Sequence, residues 1–211
     1  MKRSPLILSA LTLALALPAL QGCVPLIATG VAVGVLAVTD RRTVGTQTED
    51  ETIEWKARSR LGEKFGKDAH INATSYNRKV LLTGEVPNEQ AKTEAGELVL
   101  KVENVAGIYN ELKIHAPTPL SSRSTDAYIT SKVKGRFVDN GTFSPTHIKV
   151  VTEAGVAYLM GIVNEQESAA AIQIARTTQG VRTVVNVMEI VSEAETKRID
   201  AAMAAAKNSG K

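Results

Sequence analysis

The chain has 211 residues, 44% of them hydrophobic, 4% aromatic and 22% charged, a globular composition with room for one large domain or two small ones. Its 25 basic and 22 acidic side chains leave a formal charge of +3, too slight for wholesale coating of nucleic acid, which is not expected as a partner. A single cysteine excludes an internal disulfide framework. With His70, His115 and His147 scattered, it forms no spaced Cys/His zinc motif, so neither a metal nor a cofactor is expected.

Met1-Lys2-Arg3 is a positive start, followed over residues 6–17 by an apolar run broken only by Ser9 and Thr12, and then by Pro18. That is the layout of a secretory signal peptide over residues 1–22. The run ends in Leu20-Gln21-Gly22-Cys23, which is similar to the lipobox of bacterial lipoproteins, where a small residue precedes a cysteine that is acylated and becomes the first mature residue. A lone buried cysteine is the plain alternative, but here the chain's only cysteine stands where the motif needs it. No charge occurs between Arg3 and Asp40, so an uncleaved membrane span is a second alternative. Pro18 and Pro25 interrupt such a span, and residues 24–38 fall short of the roughly 20 needed. Residues 23–51 therefore read as a lipid anchor at Cys23, an apolar stalk and a polar linker beginning at Asp40.

From residue 52 the chain can be laid upon itself at an offset of 76 or 77. Ile53, Ala57 and Leu61 fall on Ile129, Val133 and Phe137; Leu82, Gly84 and Val86 fall on Leu159, Gly161 and Val163. In each copy, apolar residues at four-residue spacing predict an opening helix. Two short runs about Asn77-Arg78, or about Glu153-Ala154-Gly155, predict a β-hairpin. Ala91, Ala95, Leu98, Val99 and Val102, or Ala171, Ile174, Ala175 and Thr178, predict a second helix, with Asn164 and Glu167 as a capped start. Alternation over residues 108–114 and 184–191 predicts a last strand. The unit is α+β, αββαβ, a three-stranded mixed sheet packed on two helices.

Val80-Leu81-Leu82-Thr83-Gly84 with Asn104-Val105 to Asn110, and Ala157-Tyr158-Leu159-Met160-Gly161 with Gly180-Val181 to Asn186, resemble the V-x-L-x-G and G-V-x-x-V-x-N signatures of the BON domain. Arg78, Asn104 and Ala157 depart from that pattern. The resemblance implies BON domains over residues 52–115 and 126–191, with a linker at 116–125 and a tail at 192–211. The tail's alanines and mixed charges suggest a fraying helix or disorder. Together with the lipobox, the resemblance implies a lipoprotein on the periplasmic face of the outer membrane; Val24 after the cysteine is compatible with that sorting.

No nucleophile motif, phosphate loop or H-E-x-x-H appears, so no catalytic residue is expected and an envelope hydrolase is the least favoured class. His115 and His147 read as solvated or edge histidines. The positive signal is the opening helix of the second copy, which between Asp126 and Asp139 holds Lys132, Lys134 and Arg136 and no acid. With Ile129, Val133 and Phe137 turned inward, Tyr128, Lys132 and Gly135 share a flank and Val138 lies on the outer side. Residues alone leave two readings open: a face for lipid headgroups, or a solvated basic helix with Tyr128 packed on the other domain. The family resemblance implies the first, binding of anionic phospholipid through Tyr128, Lys132, Lys134, Gly135, Arg136 and Val138. The rival class is a protein-binding adaptor for an outer-membrane assembly or cell-division complex.

Overall fold

Asp50, Ile53, Ala57 and Leu61 are buried at three- and four-residue spacing, the stripe that makes α1 (Val44–Phe65) a helix. A computed structural model describes residues 40–209; the signal peptide, Cys23 and the apolar stalk lie outside the described residues. Helix α1 opens inside the stretch expected as linker, because Thr43 caps it by accepting the Thr46 N–H on Oγ1 at 3.1 Å. The polar composition there belongs to the exposed side of a helix. After α1 come β1 (His70–Tyr76), β2 (Lys79–Val86), α2 (Glu89–Leu100), β3 (Gly107–Asn110) and β4 (Lys113–Ile114). The second copy repeats them as α3 (Leu120–Val138), β5 (Ile148–Glu153), β6 (Val156–Val163), α4 (Glu165–Arg176), β7 (Thr183–Asn186) and β8 (Glu189–Ile190). Like α1, α3 begins inside the expected linker.

Each hairpin is antiparallel, and the last strand runs parallel to the hairpin's second strand after a helical crossover. The expected single last strand is split in two: β3 and β4 both pair with β2, and between them Leu112 turns into the core. Met188 does the same between β7 and β8. The hairpin turns hold two left-handed residues each, Asn77 and Arg78 (φ 52° and 62°) and Ala154 and Gly155 (φ 48° and 73°), as tight two-residue hairpins require. A carboxylate from the opening helix fixes each turn. Asp50 accepts the N–H groups of Asn77 and Arg78 at 2.8 and 2.7 Å, and Asp126 those of Ala154 and Gly155 at 2.9 and 2.8 Å. Gly84 and Gly161 are required because a Cβ on either would overlap the carbonyl oxygen of His70 or His147 across the hairpin.

Helices α1 and α2 cover one face of the first sheet around Ile53, Leu82, Val99 and Leu112; α3 and α4 cover the second sheet around Val133, Phe137, Leu159 and Ala175. The other faces cover each other. Tyr76 and Leu81 pack with Tyr158, Met160 and Ile162, joined by partly buried Val185, Val187, Val191 and Ile199. Both central strands, β2 and β6, are consequently buried over nearly their whole length.

Of the two forms expected for the tail, disorder and a fraying helix, residues Glu193–Ser209 take the helical one, α5, and its first half is held to the body. Thr196 is buried, Ile199 joins the core between the sheets, and Asp200 pairs with Arg41 from the other end of the described chain. Arg41 is buried and spends all five N–H donors: on Asp200 at 2.8 and 2.9 Å, on Glu167 at 2.7 and 2.8 Å, and on the Ile162 carbonyl at 2.8 Å. Arg42 pairs with Asp40 and Asp50 and lies 4.0 Å over the Tyr76 ring. These residues tie both domains and the tail together. His147 is likewise buried, which excludes the solvated form of the solvated-or-edge expectation.

Candidate functional site

Helix α3 turns Ile129, Val133 and Phe137 inward and leaves Tyr128 63% and Val138 66% exposed. Tyr128 therefore faces solvent. The Lys132 ammonium lies 4.8 Å from the centre of its ring, which joins the cation and the aromatic on one flank. Lys134 and Gly135 are exposed and Lys132 is half-buried. No helix among the described residues is long and apolar enough to cross a membrane.

Arg136 stands apart from the other cations. Its Nη1 donates to the Ile174 carbonyl at 2.8 Å and to Thr177 and Thr178 Oγ1 at 3.0 and 2.9 Å, closing the C-terminal end of α4. Arg60, its counterpart in the first copy, donates to the Lys101 carbonyl at 2.8 Å just after α2. An arginine at this place thus holds the two helices of each copy together.

The other counterparts differ between copies. In α1, Lys56 pairs with Glu103 and Arg58 with Glu54. In α3, neither Lys132 nor Lys134 is within ion-pair distance of a carboxylate among the described residues. On α3 two ammonium groups thus stand without a carboxylate partner beside the exposed Tyr128 and Val138, where on α1 Lys56 and Arg58 each have one, Arg58 sharing Glu54 with Lys149.

A second grouping lies between the domains and was invisible at sequence level. His70 Nδ1 stands 3.1 Å from Glu85 and 3.9 Å from Glu153, and Asn72 donates to Glu153 at 2.9 Å. Burial holds the Glu153 carboxyl above the usual carboxylate range, while the Asn72 hydrogen bond and His70 oppose the rise. No local spacing could have announced this grouping, because its members come from three strands of two domains.

The BON domain description matches residues 49–116 and 125–192. The chain is 37% identical over 172 residues to "Outer membrane lipoprotein DolP" of Haemophilus influenzae, an alignment spanning 81% of this chain and 89% of that protein. It is 34% identical over 154 residues to the "21 kDa hemolysin" of Actinobacillus pleuropneumoniae, spanning 72% and 79%. To "Osmotically-inducible protein Y" of Escherichia coli it is 28% identical over 147 residues, spanning 68% and 73%.

Proposed function

The chain belongs to the BON domain family and is an outer-membrane lipoprotein with two such domains in tandem, and from that premise we propose that it is a non-enzymatic membrane reader, binding anionic phospholipid through α3 and supporting outer-membrane integrity. Cys23 carries the acyl anchor in this reading, and the domains face the periplasm. The observation that supports it is the copy-to-copy contrast: Lys132 and Lys134 are uncompensated beside Tyr128, whereas Lys56 and Arg58 are ion-paired. Ring and ammonium side by side suit the headgroup layer, where aromatic bodies sit shallowly and cations meet phosphate. Each cation near an anionic surface contributes about 1 kcal/mol, so α3 supplies weak, salt-sensitive selectivity while acyl chains, at about 0.8 kcal/mol per buried methylene, do the holding.

The test is co-sedimentation of the chain from residue 40 onward with phosphatidylglycerol and with phosphatidylcholine vesicles. Binding to the first only, weakened by Lys132→Glu, is expected; equal binding to both, or none, rules the reading out. The adaptor reading keeps one observation in its favour: Trp55, the only tryptophan, is 71% exposed on α1. Its emission reports that helix alone. A blue shift on adding phosphatidylglycerol vesicles would place the first domain on lipid, and an unchanged spectrum would leave Trp55 open to a protein partner.

A further inference from the structure

Glu85 and Glu153 are buried carboxylates from different domains, their side chains 4% and 9% exposed, and a single imidazole faces both. His70 Nδ1 lies 3.1 Å from Glu85 Oε2 and 3.9 Å from Glu153 Oε1, and the three groups can offer ligand atoms within 4.8 Å of one another. Donor atoms on one tetrahedral Zn2+, bonded at about 2.0–2.1 Å, stand about 3.3 Å apart, between the two spacings measured from Nδ1. Both carboxylates are already oriented. Thr118 donates its N–H and its hydroxyl to Glu85 Oε2 at 3.2 and 3.3 Å, while Asn72 and Thr83 donate to Glu153 Oε2 at 2.9 and 3.4 Å, leaving Glu153 Oε1 toward the imidazole. Outer hydrogen bonds of this kind hold ligating carboxylates in metal sites. A cavity of about 430 Å3, lined by His70, Asn72, Arg123, Asp126 and Glu153 among others, opens beside the imidazole and the Glu153 carboxylate.

The other copy shows what such a grouping holds. His147 occupies the place of His70, each carbonyl facing the glycine of the neighbouring strand, and it too lies near two carboxylates, 4.0 Å from Glu167 and 3.9 Å from Asp200. There the cation comes from the chain itself: Arg41 pairs with both. Among the described residues no lysine or arginine comes within 4.0 Å of Glu85 or Glu153.

From this contrast we propose that His70, Glu85 and Glu153 form an interdomain site for a divalent transition cation of the Zn2+ type, bound by His70 Nδ1 and one oxygen of each carboxylate, with water completing the shell. The cation joins β1 and β2 of the first domain to β5 of the second, as Arg41 joins α4 to α5. Ligand atoms must be free of protons to hold the cation, so affinity falls as pH falls.

The experiment is calorimetric titration of Zn2+ into the metal-stripped full chain in detergent near neutral pH, with Co2+ as the spectroscopic probe. One-to-one binding is expected, weakened at least tenfold in His70→Gln and in Glu153→Gln at unchanged far-UV circular dichroism, and unaltered in His115→Gln. Co2+ should give a visible d–d band in the wild type that His70→Gln lacks, a readout indifferent to stability. Absence of one-to-one binding by the wild type, binding that survives both site variants, or binding lost with His115 overturns the proposal.

Discussion

Tyr128 and Arg136 stand two turns apart on α3, and the consequences of losing them differ in kind. Tyr128 makes its described contact with Lys132 and is mostly exposed, so Tyr128→Glu should cost within about 0.5 kcal/mol of stability while placing an anion where phosphate would approach. Arg136 makes three hydrogen bonds at the end of α4, and Arg136→Met should cost about 1 kcal/mol while leaving the Tyr128 and Lys132 face in place. Melting curves and phosphatidylglycerol co-sedimentation on both variants check this: lost binding with unchanged melting for the first, lowered melting with retained binding for the second. A Tyr128→Glu chain that melts early yet still binds would remove Tyr128 from the site. At this scale the sequence was readable as far as helical periodicity reaches, which places Tyr128 outside the Ile129, Val133 and Phe137 stripe. The hydrogen bonds of Arg136 are not legible locally, because its partners lie on another helix, although an arginine at the same place in the first copy, Arg60, is a visible sign of a structural duty.

Among elements, α5 and the approach to α1 were the hardest to foresee, since what orders them is long-range. Arg41 joins α5 through Asp200 to α4 through Glu167, and removing one partner of a buried pair leaves the other charged and unpaired. Arg41→Ala should therefore cost about 3 kcal/mol, read by urea denaturation. Asp200 adds a pH signature. The hydrogen bond from Arg41, against a smaller opposing effect of burial, holds its carboxyl below the usual range in the folded state. A depressed folded pKa gives stability that is complete above the unfolded value of about 3.9 and is lost as pH falls through the folded one. Urea melts below pH ~4 should accordingly show Asp200→Asn losing less stability on acidification than the wild type, though it is less stable at neutral pH. Parallel acid profiles for the two proteins would show that the Arg41 pair carries no such linkage.

For the whole molecule, the αββαβ order of each copy was legible because alternation and four-residue spacing are local, and so was the helix-covered face of each sheet. The opposite face was legible only in part: Leu81, Tyr158 and Met160 put apolar side chains on it, but nothing in the sequence says that the two faces find each other. Their mutual burial changes how the asymmetry between the copies has to be tested, since a separated domain would expose Tyr158, Met160 and Ile162 or their counterparts to water. The comparison belongs in the intact two-domain body, with charge reversed on one helix at a time. Lys132→Glu with Lys134→Glu removes the uncompensated cations of α3; Lys56→Glu with Arg58→Glu changes groups that already have carboxylate partners, Glu103 and a Glu54 shared with Lys149. Exposed ion pairs are each worth at most about 1 kcal/mol, so both double variants should stay folded. The α3 variant should lose most of its affinity for phosphatidylglycerol vesicles and most of its salt dependence. The α1 variant should bind as the wild type does, with affinity falling as the Debye length shortens from about 10 Å at 0.1 M salt toward about 3 Å at 1 M. If the two variants lose affinity equally, the attraction belongs to the net charge of the whole body and the assignment to α3 fails.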